Sequence, residues 1–266
     1  MSEFLYRPDG DFFIPTDLTT GPWDERAQHG GAPSALLTHV IEGVDAPIPM
    51  SIARVTFELM RPVPLTPLRV ETNIVRPGRK VQLVQASLWS DELEVMRATA
   101  LRIRHETLAV PPEALPSSTE IPRFLQESVP TPTFPGTPNR PSRGFHTDAN
   151  EIRFVEGGFH EPGPSAGWIR LRYPVVEGQA NSPAMRVAGA ADFGNGFSWV
   201  LPRGEWLFIN PDLTIHFNRE ASGEWICLRS RTVPGPTGMA LAESELYDQD
   251  GRVGRSVQSL ILEHAG

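Results

Sequence analysis

The sequence predicts an α+β fold assembled from two tandem copies of one unit. Three observations predict it. Each half reads as a hairpin followed by a helix, each helix is followed by four strands with period-two alternation, and a single offset superposes the halves. At 266 residues the chain can hold one large domain or two ordinary ones, with ample apolar content for a core.

Residues 4–16 read as a hairpin, with turn chemistry at Pro8-Asp9-Gly10 between two aromatic-containing runs. Over 34–41, Leu36, Leu37, Val40 and Ile41 fall on one face of a helix. Gly30, Gly31 and Pro33 start it and leave backbone N–H groups unobstructed at its positive end. From Ser51 to Ile103 the pattern turns to period two, which predicts four antiparallel strands. Proline then recurs at 111, 112, 116, 122, 130, 132, 135, 138 and 141, a spacing that neither a helix nor a central strand tolerates. Residues 111–143 are therefore expected to be a semi-rigid linker between a first domain, 1–110, and a second, 144–266. The second domain repeats the order, with a hairpin at 150–155 and 168–173, a core helix within 185–199, and strands at 213–220, 224–233, 238–248 and 252–263.

An offset of 158 places Thr56 on Thr214, Arg61 on Arg219, Leu83 on Leu241, Leu88 on Leu246, Val95 on Val253 and Ile103 on Ile261. It slips by one residue only at Pro77-Gly78 against Pro234-Gly235. Two copies related by a pseudo-two-fold axis are the simplest reading. The same offset puts Gly31 on Gly189 and Ser34 on Asp192, so both helices are expected to begin alike while only the second carries an acid. Asp192 is a lone carboxylate among Ala188, Gly189, Ala190 and Ala191. Such a residue is either an N-cap or a catalytic group, because burial without a purpose is costly. The asymmetry of the duplication favours the second reading. A site between the copies would then take a carboxylate from the second helix and backbone donors from the start of the first.

A net charge of −8 argues against a general nucleic-acid binder. Cys227 is alone and sits in a strand pattern, which suggests a buried structural thiol. The first residues carry acids where a secretory signal has an apolar run, and no stretch reaches the ~18 apolar residues of a membrane helix. A soluble cytoplasmic protein without membrane partners is expected. Metal-ligand spacing and a nucleotide-binding glycine loop are both lacking, so no metal and no cofactor are predicted. Gly163-Pro164-Ser165-Ala166-Gly167 spells a serine-hydrolase pattern without the strand before it and helix after it that the chemistry needs.

Several short motifs, in order and spacing, resemble the TesB-like acyl-CoA thioesterases of the double hotdog fold. They are His29-Gly30-Gly31, Leu59-Met60-Arg61-Pro62, Val75-Arg76-Pro77-Gly78-Arg79, Ala190-Ala191-Asp192, the run from Asp212 to Arg219, the run from Tyr247 to Gly251, and Ser256-Val257-Gln258. The resemblance covers nearly the whole chain. It implies two curved antiparallel sheets, each wrapped around a central helix, and an acyl-CoA substrate. It also implies a catalytic set of an Asp on the second helix, a Thr or Ser ahead of the next strand, and a Gln on the last strand. Asp192 and Gln258 match the first and third, while the second falls on Asn210, whose amide can hold a water or carbonyl by hydrogen bonding. Asp192 would ready a water that Asn210 and Gln258 position, with Gly30 and Gly31 polarising the carbonyl. Alternation does not decide which face of its strand Gln258 takes. His29 is either a substrate contact or an ordinary turn histidine. Arg76, Arg79 and Lys80 form a local basic patch, either a contact for the phosphates of coenzyme A or a solvated turn. Two other readings stay open. One is an acyl-thioester-binding protein without hydrolysis, made thinkable by Asn210. The other is an enoyl-thioester hydratase, which needs an Asp and His pair that Asp192 does not have nearby in sequence. The oligomeric state, including a homodimer, is left open.

Overall fold

A computed structural model describes residues 3–114, 122, 129–130, 143–202 and 204–264. The N-terminal hairpin is β1 (Tyr6–Asp9) and β2 (Phe12–Pro15), joined where Asp9 pairs with Phe12. Gly10, at φ +60°, supplies the left-handed residue of that turn, so Pro8 and Asp9 belong to the strand rather than to the turn. Helix α1 (Gly31–Glu42) follows, then β3 (Met50–Leu59), β4 (Leu68–Arg76), β5 (Val81–Ser90) and β6 (Leu93–Arg104). After the short strand β7 (Val129–Pro130) and a π-helical turn over Phe145–Ala149 come β8 (Asn150–Gly158), β9 (Glu161–Leu171), α2 (Pro183–Ala191) and the single turn α3 (Gly194–Phe197). The chain closes with β10 (Trp206–Ile209), β11 (Asp212–Phe217), β12 (Trp225–Pro234), β13 (Met239–Asp248) and β14 (Gly251–His264).

The strands form a 14-stranded sheet in the order β1-β2-β4-β5-β6-β3-β11-β14-β13-β12-β9-β8-β7, with β10 paired to β14. The first six positions reappear in reverse as β11-β14-β13-β12-β9-β8, each strand standing where its counterpart does. The halves meet at β3 and β11, where Thr56 lies directly opposite Thr214. Their hydroxyls are 3.1 Å apart. These are the two residues that the offset of 158 equates, and an antiparallel pair centred on equivalent residues is what a two-fold axis requires. Val129–Pro130 adds β7 at the outer edge, a place that tolerates proline. Most of the proline-rich stretch expected to be a linker lies outside the described residues.

The sequence singled out 185–199 as one helix and expected both helices to begin alike; neither holds. Helix α2 starts earlier, at a Ser182 N-cap that accepts the Met185 N–H at 3.1 Å, with Pro183 in the first turn. It ends at Ala191, so Gly31 opens α1 while Gly189 lies near the end of α2. Asp192 is the C-cap of α2 and not an N-cap. The two helices pack antiparallel. Ser182 at the start of α2 donates to Glu42 at the end of α1 at 2.6 Å, and Gly31 at the start of α1 abuts Gly189.

Around this pair the core is continuous, from Leu36, Leu37 and Ile41 on α1 through Val55, Phe57, Val84 and Met96 on the strands to Val187, Ala188, Phe197 and Ile215. The buried hydroxyls of α1 bond to their own helix, Ser34 to the Gly30 carbonyl and Thr38 to the Ser34 carbonyl, each at 2.8 Å. Cys227 lies in β12, buried beside Trp168 and Tyr247, and burial pushes its thiol well above the ordinary range. Ser165 lies inside β9 and donates to the Phe197 carbonyl at 2.9 Å, a structural role.

The helix contact makes a prediction. A Cβ on Gly31 would meet the Gly189 carbonyl oxygen at 2.5 Å and Phe145 at 2.7 Å, and the first of these is backbone that cannot swing away. Gly31→Ala is expected to cost about 1–3 kcal/mol, the usual penalty of overpacking, read as a lower midpoint in urea unfolding. An unchanged midpoint would show that the helices separate freely.

Candidate functional site

Asp192 is placed by the end of one helix against the beginning of the other. As the C-cap of α2 its carboxylate sits at that helix's negative end, an unfavourable position by itself. The start of α1 compensates, since Gly30 approaches so closely that a Cβ there would lie 2.8 Å from Asp192 Oδ2. Only glycine admits the carboxylate at that distance.

Four donors surround the acid. His29 Nδ1 is 2.9 Å from Oδ2, the Asn210 amide donates to Oδ1 at 2.8 Å, and the Gln258 amide reaches Oδ1 at 3.4 Å. The Gly31 N–H is the fourth. That N–H also lies 3.1 Å from His29 Nδ1, but one ring nitrogen cannot accept from Gly31 while donating to the carboxylate. The charge-assisted bond is the stronger, so we assign the proton to Nδ1 and direct the Gly31 N–H to Asp192. Burial pushes the Asp192 carboxyl up, yet the His29 hydrogen bond and charge, the Asn210 amide and the Gly31 N–H outweigh it and hold the group below the ordinary aspartate value. The His29 ring is fixed between Phe145 and Phe193, with centroids at 5.1 and 4.6 Å.

Asp192, His29, Gly30 and Asn210 line a cavity of about 540 Å³. Leu59, Met60, Phe208, Ile209, Pro211 and Ile261 make much of the remaining wall apolar, with Trp23 and Arg61 also lining it. Gln258 is not in the wall. It faces inward on β14 between buried Ser256 and Leu260, is 1% exposed, and touches Asp192 from behind. The Asn195 N–H donates to its Oε1 at 3.1 Å and so turns its amide toward the acid.

The structure thus brings together Asp192, Asn210, Gln258, His29, Gly30 and Gly31. Two expectations need correction. The Gly31 N–H is occupied by the acid, which leaves Gly30, whose N–H has no acceptor among the described residues, as the donor free to meet a carbonyl. Arg76, Arg79 and Lys80 stand apart: their turn lies at the end of the sheet marked by Met50, Val81 and Ile103, whereas the cavity adjoins Leu59 at the other end. The ten residues of β3 separate these ends by about 30 Å, because each strand residue advances roughly 3.3 Å. Sequence reasoning also missed that His29 is the partner of Asp192. A His directly ahead of a Gly-Gly helix start was the available signal. Asn195 acts through its backbone and left none. Among the described residues no group of His, Cys, Asp and Glu could hold a metal ion, and no helix is long and apolar enough to cross a membrane.

Comparison with known proteins gives the family and the fold. Residues 125–262 match the acyl-CoA thioesterase C-terminal domain and residues 19–103 the acyl-CoA thioesterase N-terminal domain. Among solved structures, a protein of Thermobifida fusca YX assigned as a thioesterase II is similar with a TM-score of 0.72 and 17% identity, over 97% of this chain and 94% of that one. A conserved protein with the hot dog fold from Alicyclobacillus acidocaldarius gives 0.65 and 17%, over 97% and 95%. The tesB protein of Mycobacterium avium subs paratuberculosis gives 0.64 and 16%, over 97% and 96%. At these identities the structural likeness establishes the hotdog fold. No curated protein matches the sequence. On the two domain matches, the chain belongs to the acyl-CoA thioesterase family, enzymes that hydrolyse thioesters.

The acid at the helix junction should register in stability. An unfolded aspartate titrates near 3.9, and Asp192 in the folded protein titrates lower. Its ionised form therefore stabilises the fold in full above the unfolded value, and this contribution is lost as pH falls through the folded one. In urea unfolding at acidic pH, the stability difference between wild type and Asp192→Asn is expected to shrink as pH falls below about 4. A difference that ignored pH would mean that Asp192 is not ionised in the folded state.

Proposed function

We propose that the chain is a double hotdog, residues 1–110 and 144–266 forming its halves, and that it hydrolyses acyl-CoA in the cavity against Asp192. One observation carries this reading. A buried carboxylate from the second half is held ionised by His29 and the start of α1 from the first, in the wall of a largely apolar cavity. The apolar wall suits an acyl chain, and the carboxylate suits a water.

In the proposed reaction a water beside Asp192 attacks the thioester carbonyl while its proton passes to the Asp192–His29 pair. Asn210 keeps Oδ1 and the water in register, and Gln258 acts as a positioning residue through Asp192. The Gly30 N–H, at the positive end of α1, takes the developing oxyanion. Collapse breaks the C–S bond, giving the free acid and a thiolate that recovers the proton from the pair. Asn210 replaces the family's hydroxyl with another hydrogen-bonding group, so the arrangement supports hydrolysis without that hydroxyl.

The Asp192–His29 contact also favours a second reading, hydration of an enoyl thioester, because the pair thought missing from the sequence is assembled in space. Assays of thiol release from acyl-CoA and of water addition to enoyl-CoA separate the two. Thiol release is expected from wild type, with Asp192→Asn slower by about 10²–10⁴-fold, the scale of a lost general base. Water addition without thiol release would replace hydrolysis by hydration. Tight acyl-CoA binding with neither product would make the protein a binder.

A further inference from the structure

The duplication supplies an internal control at the rim of the cavity. Arg61 and Arg219 are equivalent at the offset of 158, each just beyond the strand at the junction of the halves. The residue before each donates its N–H to an equivalent carbonyl, Met60 to Val95 at 3.1 Å and Asn218 to Val253 at 3.0 Å. The backbone therefore treats the two positions alike.

Their side chains have different fates. Arg219 grips Asp248, which is fully buried, through two bonds of 2.5 and 2.6 Å, and donates to the Gly251 carbonyl at 3.0 Å. Asp248 corresponds to Ser90, which carries no charge and bonds to Thr66 instead. The first half has thus no acid where the second has one. Arg61 makes no side-chain hydrogen bond or ion pair among the described residues, and it lines the cavity that holds Asp192. The cavity's acids are already matched, Asp24 by Arg26 and Asp192 by His29. An unmatched guanidinium remains at the mouth of the pocket in a chain of net charge −8.

A guanidinium is a planar fork of donors suited to phosphate, and a free one at the mouth of a thioester pocket is placed to meet the charged part of the thiol carrier. We infer that Arg61 binds a phosphate of the substrate's coenzyme A, the task given in vain to Arg76, Arg79 and Lys80 on sequence grounds. This inference rests on the reading of the cavity as a thioester site.

The test compares one acyl group carried on coenzyme A and on pantetheine, which lacks phosphate, with wild type, Arg61→Gln and Arg61→Lys. Arg61→Gln is expected to lower the ratio of kcat/KM for acyl-CoA to kcat/KM for acyl-pantetheine by about ten- to hundred-fold, as for a lost hydrogen bond to a charged group, mainly through KM. Arg61→Lys should recover part of it, and added salt should narrow the gap between wild type and Arg61→Gln. An unchanged ratio overturns the assignment. If wild type releases thiol from neither substrate, hydrolysis fails as a reading by itself, and titration of coenzyme A decides the role of Arg61. A Kd weakened by a similar factor in Arg61→Gln supports the contact, whereas equal affinity, or no binding to either protein, overturns it.

Discussion

Gly31 of α1 and Gly189 of α2 meet where the two helices pass each other, and the contact of Asp192 with the start of α1 follows from how near they come. With a side chain at Gly31 the helix ends would be held apart, and Asp192 would face only the negative end of its own helix. With glycine there, the start of α1 reaches the carboxylate and supplies a backbone N–H together with His29. An ionised group that is 6% exposed is expensive unless hydrogen-bonded on both oxygens. Donors from α1, from the residue ahead of β11 and from β14 meet that requirement. The ionised state is a product of the helix contact and the strand register together.

The duplicated frame explains why the proposed site draws on the two halves unequally. At the sheet junction the halves are equivalent down to single hydrogen bonds, as Thr56 with Thr214 and the matched carbonyls of Val95 and Val253 attest. Away from that junction the halves differ in the bounds of their helices and in side chains. On the same offset, the counterparts of Asn210 and Gln258 are Ile52 and Ala100, both apolar and buried, whereas Ser34, equated with Asp192 in sequence, lies in the first turn of α1 and Asp192 ends α2. Conversely, Arg219 is spent on a buried ion pair in the second half while Arg61 is free in the first. One end of the helix pair is equipped for chemistry and the other for cohesion, where Glu42 and Ser182 close the opposite junction.

Much of the architecture was legible because strands advertise themselves locally. Alternation within 51–103 and 213–263 marked the strands, and the matching of Thr56 with Thr214 held in space as well as in sequence. The helix boundaries were less legible. Ser182-Pro183 is a recognisable start signal ahead of the apolar run; the stop at Ala191 depends on Asp192 turning toward α1, a tertiary contact. The face of Gln258 depends on its pairing with Ala242 in β13, which alternation within one strand does not determine. The His29 contact joins residues from opposite halves, and no local pattern announces it. The basic patch failed for a related reason: sequence gives the charge of a turn but not the end of the sheet it occupies.

Neither half contains the proposed site by itself. The second half alone would leave Asp192 at the negative end of α2, without His29 or the Gly31 N–H that help hold its carboxyl below the ordinary aspartate value. The first half alone presents an open helix start and a histidine with no acid to orient it. Bringing them together supplies those donors, so the contact that seats the halves against each other also sets the protonation state of Asp192. Any change that loosens the α1–α2 contact should therefore alter the chemistry of Asp192 even when it touches none of the residues around it.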